Sequence, residues 1–204
     1  MSRNAVRASP KAVKKTDRRV RRTRDALGDA LVELMHEKPF AQITVQHVLD
    51  RAGVSRSTFY THYRDKDDLF LSDVEDFLEQ MASLLSRRGE VSNRIAPVRE
   101  LFAHVADWRE FHGVLVKAGK IHDFLELGQG YFARAIEQRL SELPLGRGLA
   151  PTNRAAVAQM HAGALLSLLM WWLNQGTPGS AAEMDAFYHE RVWSGIGRAA
   201  RDRM

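Results

Sequence analysis

The chain has 204 residues, of which 45% are hydrophobic and 27% charged, proportions that exclude a globally disordered protein. It contains no cysteine, which removes disulfides, thiolate zinc sites and cysteine nucleophiles. The net charge of +5 is uneven: residues 1–70 hold 15 Lys/Arg and nine Asp/Glu (+6), and residues 71–204 hold 15 and 16 (−1). An excess confined to the first third points to a polyanion, either nucleic acid or an acidic membrane surface.

Residues 1–15 lack an apolar period and include Pro10, so they are expected to form a flexible basic arm. No apolar segment follows in the manner of a signal peptide. From about residue 16 to 38, Leu27, Ala30, Leu31, Leu34 and Met35 recur at spacings of three and four, which puts them on one helical face. The pair Lys38-Pro39 ends that helix, because the residue before proline is pushed out of the α region.

Two short helices follow. The first covers about 45–52, with Thr44 as N-cap and Val48, Leu49 and Ala52 facing inward. Gly53 suits a left-handed C-terminal position, and Ser55 suits the next N-cap. The second covers 55–64, "SRSTFYTHYR". Asp65 then caps a fourth helix that reaches about residue 86, carries Asp67 and Asp68 in its first turn, and places Phe70, Val74, Phe77, Met81 and Leu84 at helical spacing.

After the polar break "RRGEVSNR", helical patterns cover roughly 95–118, 121–143, 152–175 and 181–200, punctuated by Gly119, "LPLGRG" and "GTPGS". No segment alternates with period two, so the chain is expected to be all-α. The most apolar run, Ala162 to Leu173, is shorter than the roughly 20 residues that span a bilayer and reads as a buried helix. A soluble, cytoplasmic chain with no membrane partner is expected.

On a helical wheel, Phe59 and Tyr63 face the interior together. Ser57, Tyr60, Thr61 and Arg64 form an outer row with Arg56 beside Tyr60, and no acidic residue lies on it. Hydroxyls and cations suit phosphate oxygens, and arginine suits guanine edges. Two short helices joined by a tight glycine turn make a helix-turn-helix.

The stretch "ITVQHVLDRAGVSRSTFYTHYRDKDDLF", Ile43 to Phe70, resembles the DNA-binding domain of TetR-family (tetracycline-repressor-like) transcriptional regulators. The resemblance rests on Ala52-Gly53-Val54, Thr58-Phe59-Tyr60, His62 and Lys66-Asp67 at their spacing. It implies a base or phosphate contact for Gln46, and a major-groove face carrying Arg56, Ser57 and Tyr60. Thr58, His62 and Tyr60 would contact the backbone, and Lys66 would meet a phosphate at the start of the fourth helix. Ser57 departs from the glycine or proline common at that position. With Ser55, Thr61 and Arg64 these complete the expected DNA-contacting set. The expected organisation is a basic arm (1–15), a helix-turn-helix domain (16–64) and a ligand-binding and dimerisation domain (65–204), whose first helix, 65–86, connects the two. Ten Lys/Arg against Asp17 alone in residues 1–24 make the arm a candidate for minor-groove or phosphate contact.

A single short reading helix gives modest affinity, so pairing into a homodimer on two half-sites is expected. The apolar surplus of the last two helices, at Met160, Leu165, Leu168, Leu169, Trp172, Met184, Phe187, Val192 and Ile196, marks the expected interface. The resemblance places the dimer bundle there too. His104, Trp108 and His112 follow i, i+4, i+8, and with His122, Phe124, Tyr131 and His161 they are candidates to line a pocket for an unknown small-molecule effector. No HExxH or acidic cluster marks a metal site, and no GxSxG, GxGxxG or P-loop marks an enzyme. No catalytic residue, cofactor or metal is expected. The function implied is a sequence-specific regulator bound to double-stranded operator DNA, a repressor released by its ligand. The alternative is a DNA-binding or adaptor protein of the same fold whose C-terminal domain binds a protein partner.

Overall fold

The computed structural model describes residues 10–89, 91–107, 113 and 115–201, and every regular element among them is helical. The chain divides into two compact units, Met1–Asp73 and Val74–Met204.

In the first unit, α1 spans Pro10–Glu37. Of the expected arm, residues 10–15 are helical and residues 1–9 lie outside the described ones. Pro10 opens the helix because proline is favoured at a first helical position, where its missing N–H costs nothing. Leu27, Ala30, Leu31, Leu34 and Met35 are all buried. A 3-10 turn, Phe40–Gln42, follows Pro39.

The helix α2, Val45–Ala52, is closed at its start by a reciprocal pair: the His47 N–H donates to Thr44 Oγ1 (3.2 Å) and the Thr44 N–H to His47 Nδ1 (3.2 Å). It ends on Gly53 at φ 65°, where a side chain would be strained. Ser55 caps α3, Arg56–Tyr60, accepting from the Thr58 N–H at 3.3 Å. The helix α4, Lys66–Ala82, starts at Asp65, whose Oδ1 accepts from the Asp68 N–H at 2.8 Å.

In the second unit α4 stops at Ala82 rather than near residue 86. The Ser83 hydroxyl donates to the Glu79 carbonyl at 2.7 Å, competing with the helix ladder, and a separate turn, α5 (Leu84–Arg87), follows. The buried stripe is also displaced. Val74, Leu78, Ala82 and Leu85 are buried, while Phe77, Met81 and Leu84 are half-buried.

Then come α6 (Val98–Asp107), α7 (Ile121–Glu142), α8 (Pro144–Arg147), α9 (Pro151–Asn174) and α10 (Ala181–Arg201). The expected helix over 95–118 begins only at Val98, and its residues 108–112 lie outside the described ones. "LPLGRG", expected to be a break, holds α8. A Cβ at Gly146 would stand 2.1 Å from the Leu140 carbonyl oxygen, so only glycine fits there.

The end of the polar break and the residue after it, 92–95, are latched by side chains from far along the chain. Arg139 donates to the carbonyls of Arg94 (3.1 Å) and Ser92 (2.6 Å), Trp193 to that of Asn93 (3.0 Å), and the Ile95 N–H to His189 Nε2 (3.1 Å). Arg94 pairs with Asp185 at 2.8 Å and with Glu100. Burial opposes ionisation of both acids. Even so, the Arg94 hydrogen bond holds Glu100 below its ordinary range, and His189 with Arg94 does the same for Asp185.

By length and composition α9 could cross a membrane, with an 18-residue window of mean hydropathy 1.4. Here it packs chiefly on α7 and buries Ala158, Ala162, Leu165, Leu166, Leu169 and Trp172. The Trp172 ring lies 5.0 Å from Phe102, and its indole N–H donates to the Gly179 carbonyl at 3.2 Å.

Candidate nucleic-acid interface

The short α3 is a poor helix in isolation and is held by what lies behind it. Phe59 is fully buried, with its ring 5.7 Å from Tyr63, itself 4% exposed. Burying a phenylalanine side chain contributes roughly 1.5–3 kcal/mol, which offsets the low helix propensity of Ser57 and Thr58. The Tyr63 hydroxyl accepts from Arg24 Nε at 3.0 Å, and Arg24 Nη2 donates to Ser72 Oγ at 2.9 Å. One arginine of α1 thus fixes the segment after α3 and the first turns of α4. Arg51 fixes α2 in turn, bridging Glu33 (3.0 Å) and Glu37 (2.8 Å).

With the interior pinned, the outer residues fall where the wheel places most of them. Gln46, Ser55, Arg56, Ser57, Tyr60 and Thr61 are exposed, Tyr60 by 51%. Thr58 and His62 are half-buried at the edge. Arg56 Nη2 donates to Gln46 Oε1 at 3.3 Å, and the Gln46 amide donates to Asp50 Oδ1 at 2.7 Å. This relay orients a guanidinium and an amide toward the same solvent face, a pairing suited to guanine and adenine edges. Ser55 Oγ lies 3.1 Å from Ser57 Oγ and 2.8 Å from Thr58 Oγ1, a cluster of hydroxyls that can turn toward phosphate oxygens.

Two members of the expected set sit differently. Arg64 is not on the α3 wheel: the helix ends at Tyr60, and the Thr61 hydroxyl folds back onto the Thr58 carbonyl at 2.6 Å. Arg64 instead pairs with Asp68 at 3.0 Å, its side chain 85% exposed, so an acid stands beside a residue expected on an acid-free row. The hydrogen bond from Arg64 holds the Asp68 carboxyl below its ordinary range. Lys66, expected at a phosphate, turns inward. Its ammonium donates to the carbonyls of Phe40 (2.6 Å) and Ile43 (2.7 Å) and lies 4.5 Å from the Phe40 ring centroid. Asp50, Arg24 and the Lys66 acceptors are the parts that sequence reasoning missed. Only Asp50, four residues after Gln46, had a local signal.

Of the expected effector residues, His104 and Phe124 share one neighbour, Phe77, and the other described ones have separate surroundings. His104 stacks on Phe77 at 5.1 Å, and the Phe124 ring lies 6.4 Å from Phe77 at an interplanar angle of 27°. His122 points to solvent, 85% exposed beside Glu126. Tyr131 lies under Arg134, 4.6 Å away, and His161 packs edge-on to Tyr188, where burial lowers its pKa. Trp108 and His112 fall outside the described residues. A groove of about 280 Å³ is lined instead by Arg134, Glu137, Gln138, Ser141 and Arg154, none of them in the expected set.

Of the expected interface residues, Leu165, Leu169, Trp172 and Val192 are buried within the chain's own core, because α7, α6 and the 176–180 turn already cover them. Met160 (60%) and Phe187 (44%) are exposed, as is Trp171, which the sequence reading did not select. Leu168 and Met184 are half-buried, and the Ile196 side chain lies outside the described residues.

Residues 27–72 match the family model "Bacterial regulatory proteins, tetR family". Among curated proteins the chain is similar to an uncharacterised HTH-type transcriptional regulator of Bacillus subtilis, 22% identical over 81% of this chain and 42% of that protein. It is also similar to an HTH-type transcriptional repressor of Mycobacterium tuberculosis, 28% identical over 50% of this chain and 52% of that protein. The chain thus spans about half the length of these relatives. A TetR transcriptional regulator of Streptococcus agalactiae shares the fold, with a TM-score of 0.61 and 24% identity over 88% of this chain and 98% of that one. Residues 27–72 thus match that family's helix-turn-helix model, and the chain as a whole shares the fold of the Streptococcus agalactiae protein.

Proposed function

We propose that the chain regulates transcription by binding operator DNA as a cytoplasmic homodimer, acting as a repressor that a small ligand releases. The observation that carries this reading is the outward face of α2 and α3. Arg56 and Gln46 are linked and exposed, Ser55, Ser57, Thr58 and Thr61 supply hydroxyls, and Phe59 fixes the helix from behind. In the major groove Arg56 addresses a guanine edge, and the hydroxyls with Tyr60 and His62 set the register on phosphates. The name of the Mycobacterium tuberculosis relative supports the sign of regulation.

Pairing uses the outward side of α9 and α10, where Met160, Trp171 and Phe187 stand exposed, and two reading heads then meet half-sites about one helical turn apart. A ligand held in the second unit acts by favouring one arrangement of α4, which runs from that unit into the helix-turn-helix. A coupling of about 1–3 kcal/mol lowers operator affinity 5- to 150-fold.

The test is a binding-site selection from random duplexes, followed by gel shifts. Arg56→Ala relaxes the preference at one position and costs about 1–3 kcal/mol on the selected site. If selection enriches no sequence, or if the footprint is unaffected by Arg56→Ala, the assignment of α3 as the reader is overturned.

A further inference from the structure

Of the ten cations in residues 1–24, five lie in the expected arm and five, from Arg18 on, in the expected first helix, and α1 begins at Pro10. Leu27 is the first buried residue of that helix among those described, and Arg18, Arg19, Arg21 and Arg22, one to three turns before it, are all exposed. None of the four pairs with a carboxylate among the described residues. At 100° per residue, Arg18, Arg21 and Arg22 share the face opposite Leu27, Leu31 and Leu34, by which α1 packs. In the sequence Lys11, Lys14 and Lys15 precede this row.

The cations of this row crowd one another, with Asp25, four residues after Arg21 and three after Arg22, the acid beside them on that face. Like charges at i, i+3 and i, i+4 repel by about 0.2–0.5 kcal/mol per pair, and α1 has no acidic residue in its first turn to offset cations near its positive end. A polyanion relieves both. The next cation, Arg24, behaves differently: it turns inward onto Tyr63 and Ser72 and so fixes the direction of α1 relative to α3.

We propose that the N-terminal half of α1 is a phosphate-tracking helix whose row, Arg18, Arg21 and Arg22, lies along the DNA backbone outside the bases read by α3. It lengthens the footprint and adds sequence-independent affinity. This rests on the DNA-binding reading above. Duplex DNA is favoured over a membrane surface because an interfacial helix needs a broad apolar face, whereas opposite this row stand Val20, Thr23 and the hydrogen-bonded Arg24.

The test uses the full chain and the triple variant Arg18→Gln, Arg21→Gln, Arg22→Gln, with a selected duplex and a random-sequence duplex across a salt series. Three lost phosphate contacts reduce the slope of log K against log salt by about 2–3, and affinity falls about tenfold or more on both duplexes alike. The base preference stays unchanged and the footprint shortens at its edges. An unchanged slope and footprint in the triple variant, with Arg56→Ala still relaxing the preference, overturns this proposal and leaves the DNA-binding reading intact. A random pool that yields no enriched sequence removes that reading itself. Anionic-vesicle binding that the triple variant loses, with its DNA slope unchanged, overturns the proposal in favour of a membrane surface.

Discussion

Replacing Lys66 by methionine keeps the length and most of the apolar contact of the side chain while deleting its ammonium. In the structure that ammonium donates to two carbonyls, Phe40 at 2.6 Å and Ile43 at 2.7 Å, and lies 4.5 Å from the Phe40 ring centroid. A hydrogen bond to a charged group is worth about 1.5–3 kcal/mol. The residue is only half-buried and water can reach part of the site, so the lower end applies, and the two bonds together contribute about 2–4 kcal/mol. For a chain of this length that lowers the melting temperature by about 5–10 °C. Calorimetry reads this directly, and a salt series on DNA gives a second, independent reading. A lysine occupied by Phe40 and Ile43 leaves the salt slope of Lys66→Met close to that of the parent, whereas a phosphate-bound lysine reduces it by about 0.9. A variant with parental melting temperature and a reduced slope would refute the inward clamp and restore Lys66 to the DNA-contacting set.

Gly53→Ala forces a side chain into φ 65° with no atom within 4 Å to clash. Its cost is therefore conformational, about 1–2 kcal/mol, visible as a lower urea midpoint at constant m-value. Glu100 and Asp185 have folded pKa values below their ordinary 4.5 and 3.8. Their contribution to stability is complete above about pH 4.5 and is lost as pH falls through the depressed folded values. Acid titration of Asp185→Asn should show a flatter loss of stability below pH 4.5 than the parent, and an identical acid limb counts against the Arg94 network. Phe187→Glu places a charge on the proposed pairing surface at a residue 44% exposed. It should yield a folded monomer by light scattering with unchanged helicity, and a persistent dimer sends the interface elsewhere.

The helix boundaries that were legible in the sequence are those set by groups within four residues of one another. Thr44, Ser55 and Asp65 cap because a short oxygen-bearing side chain meets a backbone N–H three positions on, and Gly53 ends α2 because the backbone there must turn left-handed. The boundaries that were missed come from competition between equally local options. Ser83 can donate back to Glu79 as readily as it can ride in a helix, and Pro10 can open a helix as readily as it can interrupt a coil. Nothing in the pattern of apolar residues decides between such alternatives, because each leaves the core face unchanged.

For the site, the harder question is which member of a chemically uniform group the fold turns inward. Leu165 and Leu168 are indistinguishable by hydropathy in a helix that is apolar nearly all round, and only the placement of α7 and α6 buries one fully and leaves the other half-buried. The ten cations of residues 1–24 pose the same problem. The partners that single out Arg24, Tyr63 and Ser72, are 39 and 48 residues away and are themselves positioned by α3 and α4. Lys66 is chosen likewise by carbonyls 23 and 26 residues back. In both cases a residue that charge alone would assign to DNA is withdrawn to set the angle of an element that carries the remaining ones. Charge counts therefore overstate the cations left facing solvent by the number needed to hold the fold's own elements in place. Arg24→Gln should accordingly weaken specific binding through misplacement of α3, with a smaller effect on the salt slope than loss of any one of Arg18, Arg21 or Arg22.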